Sequence, residues 1–281
     1  MRCAWQAYLN LLPVWLRSDV DELGRDSLQE TRLRINRPVE CITKQGSTWI
    51  GSEVNQEDID FVVNAASRYS PWTATEISRG YITAQGGHRV GLCGDAVGEG
   101  GKFGVRTLTS LCVRVARDFP GISGDLSKLQ GSLLIVGRPG SGKTTLLRDL
   151  IREKSDRICK HVAVVDERCE LFPKWQNTFC FPPGKRTDVI SNCRKTIAIE
   201  MVLRTMCPQL IALDEVTSEE DSEALLHAAW CGTSLIATAH ADNIYELRKR
   251  KTYQKLLEDG VFANFVVMHH SQSWTLERMT A

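Results

Sequence analysis

The stretch that decides the fold runs from residue 133 to residue 145: Leu133-Leu134-Ile135-Val136, then Gly137-Arg138-Pro139-Gly140-Ser141-Gly142-Lys143-Thr144-Thr145. Its first four residues are apolar and predict a short strand that is buried on both faces. The spacing Gly-x-x-x-x-Gly-Lys-Thr then predicts a loop whose backbone N–H groups turn toward phosphate oxygens. A helix beginning at Lys143 would point the positive end of its dipole at the same place.

This loop predicts a nucleotide site with a metal ion. The backbone from Gly137 to Thr145 is expected to cradle the phosphates, and Lys143 to reach the β- and γ-phosphates. The hydroxyl of Thr144 is expected to coordinate Mg²⁺. The sequence therefore predicts that the chain binds ATP with Mg²⁺ and hydrolyses it, as an ATPase.

Apolar runs of strand length recur after the loop and are separated by stretches with helical spacing. Buried strands that alternate with helices are typical of a parallel sheet covered on both faces. We therefore expect residues 126–281 to form an α/β domain of the RecA-like P-loop NTPase class, with a mostly parallel sheet. Its further strands are predicted at residues 161–165, 209–213 and 234–238.

Acidic residues follow two of these predicted strands, at the sheet edge where ligands bind in open α/β folds. Asp214 is expected to hold the magnesium ion together with Thr144, and Glu215 to orient or deprotonate the attacking water. Glu167 is a second candidate for positioning that water. The alternative for Glu167 is a structural ion-pair cluster with Asp166 and Arg168, so the choice between the two glutamates stays open.

Three more residues are candidates for the same site. His240 ends another predicted strand, where it is expected to detect the γ-phosphate by a hydrogen bond, with a purely structural role as the alternative. Arg186 is predicted in a loop between strands, and Arg204 in a helical stretch before the strand of Asp214. Either arginine is a candidate for stabilising transition-state charge, within one subunit or across a subunit boundary; the alternative is a solvated side chain.

Residues 1–125 show a different pattern. Apolar residues at 59, 62, 63 and 66 have helical spacing, residues 31–35 alternate as a strand, and two apolar runs flank Gly86-Gly87 as in a hairpin. A further strand is predicted at residues 105–115, and the turn-rich residues 120–125 follow it. We expect a smaller α+β N-terminal domain over residues 1–125.

Composition narrows the classes of partner and the compartment. The net charge of +1 gives no support for a general polyanion binder, so no nucleic acid is expected as a partner. No segment approaches the ~20 apolar residues of a membrane span, and the N-terminus has no cleavage site of a secretion signal. The sequence thus favours a cytoplasmic protein.

The assembled motifs resemble the stage III sporulation protein AA family, which is itself similar to the hexameric motor ATPases of type II and type IV secretion and of pilus assembly. The resemblance covers nearly the whole chain. In the first domain it rests on residues 80–83 and 86–94, and in the second on residues 142–149, 165–168, 186–189, 238–240 and 257–262. Such a set is far more specific than the phosphate loop alone.

The resemblance implies roles and partners. Residues 166–170 look like the acidic box of secretion ATPases, residues 238–240 like their histidine box, and Glu215 like their Walker B glutamate. It further implies a homo-oligomer, expected to be a hexamer. This ring would lie in the cytoplasm, peripheral to membrane-embedded sporulation channel proteins between mother cell and forespore, and would energise that channel.

The chain departs from the family pattern at three places. Thr217-Ser218 stands where the family has Gly and a basic or small residue, Ala241 stands where it has Gly, and residues 269–274 lack a basic pair. The departures bear on subunit contacts, partner docking and turnover, and they leave the nucleotide-binding motif intact.

Two other function classes share this strand pattern. A RecA-type nucleic-acid motor would need a basic channel with aromatic residues, and salt-dependent binding to single-stranded DNA would favour it. An ATP-gated scaffold with little turnover would show slow hydrolysis together with nucleotide-dependent assembly. A metabolite kinase is less favoured, because the sequence after the loop has no lid segment and no acceptor-binding signature.

Overall fold

The computed structural model describes residues 1–67, 80–98, 104–269 and 273–278, and it divides the chain into two compact units. The first unit consists of Met1–Asp118 and Pro173–Phe181, and the second of Phe119–Phe172 and Pro182–Ala281. The predicted boundary after residue 125 differs from this division, since residues 119–125 lie in the second unit. Asp149 explains the difference, because its carboxylate accepts the backbone N–H groups of Gly121 and Ser123 at 2.8 Å.

The first unit is built from helices and an antiparallel sheet. Its helices are α1 (Trp5–Leu11), α2 (Arg17–Leu23) and α3 (Gln56–Ser67), and its sheet strands are β1 (Leu28–Arg34), β2 (Val39–Thr43), β3 (Gly46–Ile50), β4 (Tyr81–Thr83), β5 (Arg89–Val97) and β6 (Gly104–Arg114). The described strands of this sheet lie in the order β3-β2-β1-β6-β5-β4. A separate pair, β9 (Lys174–Trp175) and β10 (Thr178–Phe179), completes the unit. The predicted helix, strand and hairpin are present here; residue 68, the expected end of that helix, lies outside the described residues.

A buried histidine joins the N-terminal segment of the first unit to its sheet. Nε2–H of His88 donates to the carbonyl of Ala4 at 2.9 Å, and its Nδ1 accepts the backbone N–H of Ala116 at 3.0 Å. The ring also packs edge-on against Tyr8. The hydrogen bond that Nδ1 accepts requires the neutral ring, and burial lowers the pKa of His88 to about 4.

We expect the stability of the protein to depend on pH through His88. The pKa of His88 in the folded state lies below its unfolded value. The stability that the neutral His88 contributes is therefore present above pH 6.5 and is lost as the pH falls toward 4. Between pH 7 and pH 5 the free energy of unfolding should fall by about 2 kcal/mol on account of this group. Urea titrations of the wild type and of His88→Gln at both pH values measure it. An equal pH dependence in the two proteins would contradict this assignment.

The second unit is an α/β domain. Its strands are β7 (Leu133–Val136), β8 (Val162–Asp166), β11 (Thr187–Ser191), β12 (Leu210–Leu213), β13 (Ser234–Ala239), β14 (Asn264–Met268) and β15 (Trp274–Arg278). Its helices are α4 (Lys143–Asp156), α5 (Lys195–Met206), α6 (Glu219–Trp230), α7 (Ile244–Arg248) and α8 (Lys251–Glu258). The expected α/β class is confirmed, and each of the four predicted apolar runs forms a strand. The prediction missed β11, whose residues are only half-buried and mostly polar, and it gave no strand at β14 or β15.

The order of strands in this sheet is β11-β8-β12-β13-β7-β14-β15. Neighbouring strands from β11 to β14 pair in parallel, and β15 joins β14 antiparallel. The carboxyl ends of β7, β8, β12 and β13 therefore meet at one edge: Ala239 is level with Val136, and Leu213 with Val165. The predicted residues Lys143, Asp214, Glu215 and His240 follow these strands at this edge.

Candidate functional site

The loop between β7 and α4 has a backbone that only small residues can follow. Gly140 and Gly142 adopt φ values of 75° and 95°, in the left-handed region that favours glycine. At Gly137 a Cβ would lie 2.6 Å from Ser141 Oγ and 2.9 Å from Met268 Cβ. Ser141 Oγ is itself buried and has no hydrogen-bond partner among the described residues. A closely curled loop with an unused hydroxyl fits an anionic ligand.

Lys143 is held within this loop. Its Nζ donates to the carbonyl oxygens of Gly137 and Arg138, each at 2.7 Å, and lies 2.9 Å from Nδ1 of His240. The side chain is buried, and burial lowers the pKa of Lys143, while Asp214 and Glu215 act in the opposite direction. A buried ammonium next to backbone carbonyls gives the phosphate loop its positive charge.

Asp214 connects the loop to two neighbouring strands. The Thr144 hydroxyl donates to Asp214 Oδ2 at 3.0 Å, and the Thr238 hydroxyl donates to Asp214 Oδ1 at 2.7 Å. Hydroxyl and carboxylate oxygens are the ligands that Mg²⁺ prefers, so this pair fits the predicted metal site. Among the described residues no three His, Cys, Asp or Glu side chains form a preformed metal cluster. Thr238 belongs to residues 238–240, which resemble the histidine box, but no role was predicted for its side chain, because a Thr within an apolar run has the pattern of an ordinary strand residue.

Glu215 has an unusual backbone, with a φ of 20°. Such a conformation is strained for a residue with a side chain and persists only where its surroundings fix it. The Thr238 hydroxyl accepts the N–H of Glu215 at 2.9 Å, and the Thr238 carbonyl accepts the N–H of Val216 at 3.2 Å. The Glu215 carboxylate lies 3.4 Å from His240 Nε2 and 3.8 Å from Arg168 Nη1.

The three predicted residues Lys143, His240 and Glu215 thus form a continuous chain of contacts. One ring nitrogen of His240 faces the Lys143 ammonium and the other faces the Glu215 carboxylate. A neutral ring with its proton on Nε2 satisfies both neighbours, since Nδ1 then accepts and Nε2–H donates. The structure therefore links the phosphate loop to the acid at the end of β12 through His240.

The acidic segment after β8 divides into two environments. Asp166 is fully buried, and its carboxylate accepts the backbone N–H groups of Glu170, Leu171 and Phe172 at 2.9 to 3.2 Å. Burial raises the pKa of Asp166, and these hydrogen bonds oppose the rise. Asp166 therefore stabilises the loop that follows β8. Glu167 accepts a hydrogen bond from Lys195 Nζ at 2.9 Å, an ion pair that sequence reasoning did not identify.

Two predicted arginines are not brought to the loop. Arg186 lies in a turn between strands, as predicted, but directly before β11, and its guanidinium donates to the carbonyl of Cys159 at 3.1 Å. Its own carbonyl accepts the N–H of Val162, where β8 begins. Arg204 is exposed in the last turn of α5 and pairs with Glu200 at 3.6 Å. Within one chain both lie toward the opposite edge of the sheet from the phosphate loop.

The remaining loop residues have separate surroundings. The Arg138 guanidinium binds both carboxylate oxygens of Asp242, two residues after His240. Pro139 is exposed, and Thr145 is half-buried in the first turn of α4. No motif spacing in the sequence predicts Asp242 as the partner of Arg138. Residues 269–274 form the segment that lacks the expected basic pair, and residues 270–272 of it lie outside the described part of the chain.

Across the described ranges, none of the helices has both the length and the apolar character that a transmembrane span needs.

Comparisons with known proteins identify a family and a shared fold. The family described as "Sporulation stage III, protein AA" matches residues 6–276. The stage III sporulation protein AA of Bacillus subtilis (strain 168) is 34% identical over 276 residues, which cover 93% of this chain and 90% of that protein. The match therefore spans both units.

Solved structures share the fold at low sequence identity. The ATPase DotB of Legionella pneumophila superposes with a TM-score of 0.62 and 15% identity, covering 95% of this chain and 80% of DotB. The pilus retraction motor PilT, solved with bound ADP, gives a TM-score of 0.62 and 14% identity, covering 94% of this chain and 81% of PilT. These likenesses show that the chain has the fold of DotB and of PilT.

Proposed function

Because the chain belongs to the sporulation stage III protein AA family, we propose that it is an ATP-hydrolysing P-loop motor whose second unit is a RecA-like domain. The observation that carries this proposal is the chain of contacts from Lys143 through His240 to Glu215, beside the Thr144–Asp214 pair. The fold shared with PilT, whose structure was solved with bound ADP, supports a nucleotide ligand for this chain. The ligand would be ATP with Mg²⁺.

The residues have complementary tasks in this proposal. Lys143 and the loop N–H groups would bind the β- and γ-phosphates. Thr144 and Asp214 would hold Mg²⁺, which supplies charge neutralisation at the phosphates when bound. Glu215 would orient the attacking water and accept its proton. His240 contacts both Lys143 and Glu215, so a change in the ammonium's position on phosphate binding would reach the acid.

The geometry favours Glu215 over Glu167 as the residue that activates water. Glu215 touches His240, which in turn touches the phosphate-binding Lys143. Glu167 is instead paired with Lys195, whose ammonium occupies one of its oxygens. The cation nearest to Glu215 in the described contacts, Arg168 Nη1, is farther away, at 3.8 Å, so the Glu215 oxygens are less directly engaged. We therefore assign the base to Glu215.

The proposal includes assembly. Arg186 and Arg204 are exposed and lie far from the loop of their own chain, so any role in the reaction requires a neighbouring copy. A homo-oligomer, expected as a hexamer, would bring such side chains to a subunit boundary. Its partners would be membrane-embedded sporulation channel proteins, with the motor cytoplasmic and peripheral to them.

Nucleotide-dependent assembly tests the motor proposal. We expect mass photometry of the purified protein to show a hexamer that a non-hydrolysable ATP analogue with Mg²⁺ stabilises, because the nucleotide would sit where subunits meet. The same measurement on Lys143→Ala serves as the control and should show no response to the analogue. A wild-type protein that stays monomeric at all nucleotide concentrations would contradict the ring motor.

A further inference from the structure

Lys195, the first residue of α5, is a buried cation at the site edge that the proposed mechanism leaves unused. Only 7% of its side chain is exposed. Its Nζ lies 2.9 Å from Glu167 Oε2, 3.5 Å from Asp221 Oδ2 and 3.5 Å from Thr217 Oγ1. A buried ammonium is tolerated only where acceptors surround it, and here the acceptors come from two segments, the end of β8 and the turn between β12 and α6.

One of these acceptors, Asp221, organises the turn between β12 and α6. Its Oδ2 accepts the N–H and the hydroxyl of Thr217, both at 3.0 Å, and the N–H of Ser218 at 3.3 Å. Ser218 in turn caps α6 by accepting the N–H of Asp221 in a capping box. The turn that begins at the strained Glu215 is therefore fixed at its far end by Asp221.

Lys195 joins this turn to the neighbouring acidic segment. Through Glu167 it reaches the end of β8, and through Asp221 and Thr217 it reaches the turn after β12. The Thr217 and Ser218 side chains, which depart from the family pattern, take part in the contacts. Among the hydrogen bonds and ion pairs described here, Lys195 makes none to the phosphate loop, so its influence on the reaction has to pass through the two acidic segments.

We propose that Lys195 is a positioning residue for hydrolysis: it fastens the Glu167 carboxylate to the turn that carries Glu215, so that both acids keep their places beside the phosphate loop. This inference rests on the proposed ATPase function. A positioning role predicts an effect on turnover rather than on nucleotide affinity, since the ammonium touches no phosphate-binding group. It also predicts that the effect depends on its partner Glu167.

A double-mutant cycle of Lys195→Met and Glu167→Gln tests the proposal. Methionine keeps the length of the side chain and removes its charge. We expect Lys195→Met to lower kcat about 10- to 100-fold with less than about a twofold change in KM for ATP, as for a lost transition-state contact. In the Glu167→Gln background the same substitution should change kcat by no more than about twofold, because coupled residues are non-additive.

A matched control separates positioning from loss of stability. Lys154 is also a buried lysine, but it lies in the last turn of α4, away from the loop that begins the helix. Its Nζ donates to the carbonyl of Leu129. Lys154→Met should lower the thermal unfolding midpoint and leave kcat near the wild-type value at a temperature where the protein is folded. Arginine at position 195 retains the charge, so Lys195→Arg should recover part of the lost turnover.

The outcomes distinguish this inference from the proposed function. An inactive wild-type protein overturns the ATPase function and the positioning role together. An active wild type in which the Lys195→Met and Glu167→Gln effects multiply overturns the positioning role alone. Normal turnover in Lys195→Met, or a fall in kcat of the same size in Lys154→Met, also overturns it.

Discussion

Replacing Glu215 with Gln is expected to lower the kcat of ATP hydrolysis about 10²- to 10³-fold, in the range that a lost general base produces. Gln keeps the shape of the side chain and removes its ability to accept a proton. The contact with Nε2–H of His240 can persist through the amide oxygen, so the Lys143–His240 contact should be retained. Nucleotide affinity should therefore stay near the wild-type value, and single-turnover kinetics with a separate binding titration measure the two effects.

Glu167→Gln is the matched comparison for this result. Its carboxylate binds Lys195 and makes no described contact with His240, so its loss should disturb the position of the acids without removing the base. We expect a fall in kcat of about 10- to 100-fold, comparable to that of Lys195→Met. A larger loss in Glu167→Gln than in Glu215→Gln would reverse the assignment of the base.

Replacing Lys143 with Ala is expected to weaken the binding of Mg-ATP by about 100-fold or more. Charge-assisted hydrogen bonds to phosphate contribute up to about 3 kcal/mol, and 1.4 kcal/mol corresponds to a tenfold change in affinity. The substitution also removes the hydrogen bonds from Lys143 Nζ to the carbonyls of Gly137 and Arg138, and its contact with the ring of His240. Titration with a fluorescent ATP analogue measures the loss.

Lys128→Ala is a suitable control for the Lys143 variant. Lys128 is exposed in the second unit and pairs with Asp125 at 2.6 Å, an ion pair that contributes little at the surface. Its removal should leave nucleotide affinity unchanged. Equal affinities in wild type and Lys143→Ala would show that the loop does not bind the triphosphate through this ammonium.

Much of the candidate site could be predicted because parallel strands have their carboxyl ends at one edge. Short apolar runs indicated the strands, and the residues after them had to lie near one another. This reasoning placed Lys143, Asp214, Glu215 and His240 together, and the structure shows contacts among them. Their roles in catalysis stay predictions.

The positions of the two arginines could not be predicted from nearness in sequence. Arg204 precedes the strand of Asp214 by a few residues, but that strand, β12, crosses the sheet from one edge to the other. Four residues at about 3.3 Å each span roughly 13 Å, so a residue before the strand lies far from a residue after it. The same argument applies to Arg186, which stands at the beginning of β11.

Other features of the site depend on single side chains for which no motif predicts a contact. Lys195, Thr238 and Asp242 act through contacts with residues distant in the sequence, and such contacts follow only from the three-dimensional arrangement. The attribution of residues 119–125 to the second unit likewise depends on Asp149, which lies in α4. Neither spacing nor composition identifies pairings of this kind.

The most direct test of the account is phosphate release from ATP by the purified wild-type protein, measured with and without Mg²⁺ and beside Lys143→Ala. The site geometry predicts release that requires Mg²⁺, because Thr144 and Asp214 form the expected metal site, and release that disappears with the Lys143 ammonium. A wild-type protein that releases no phosphate, or the same release from Lys143→Ala, would contradict the assignment of this chain as an ATPase.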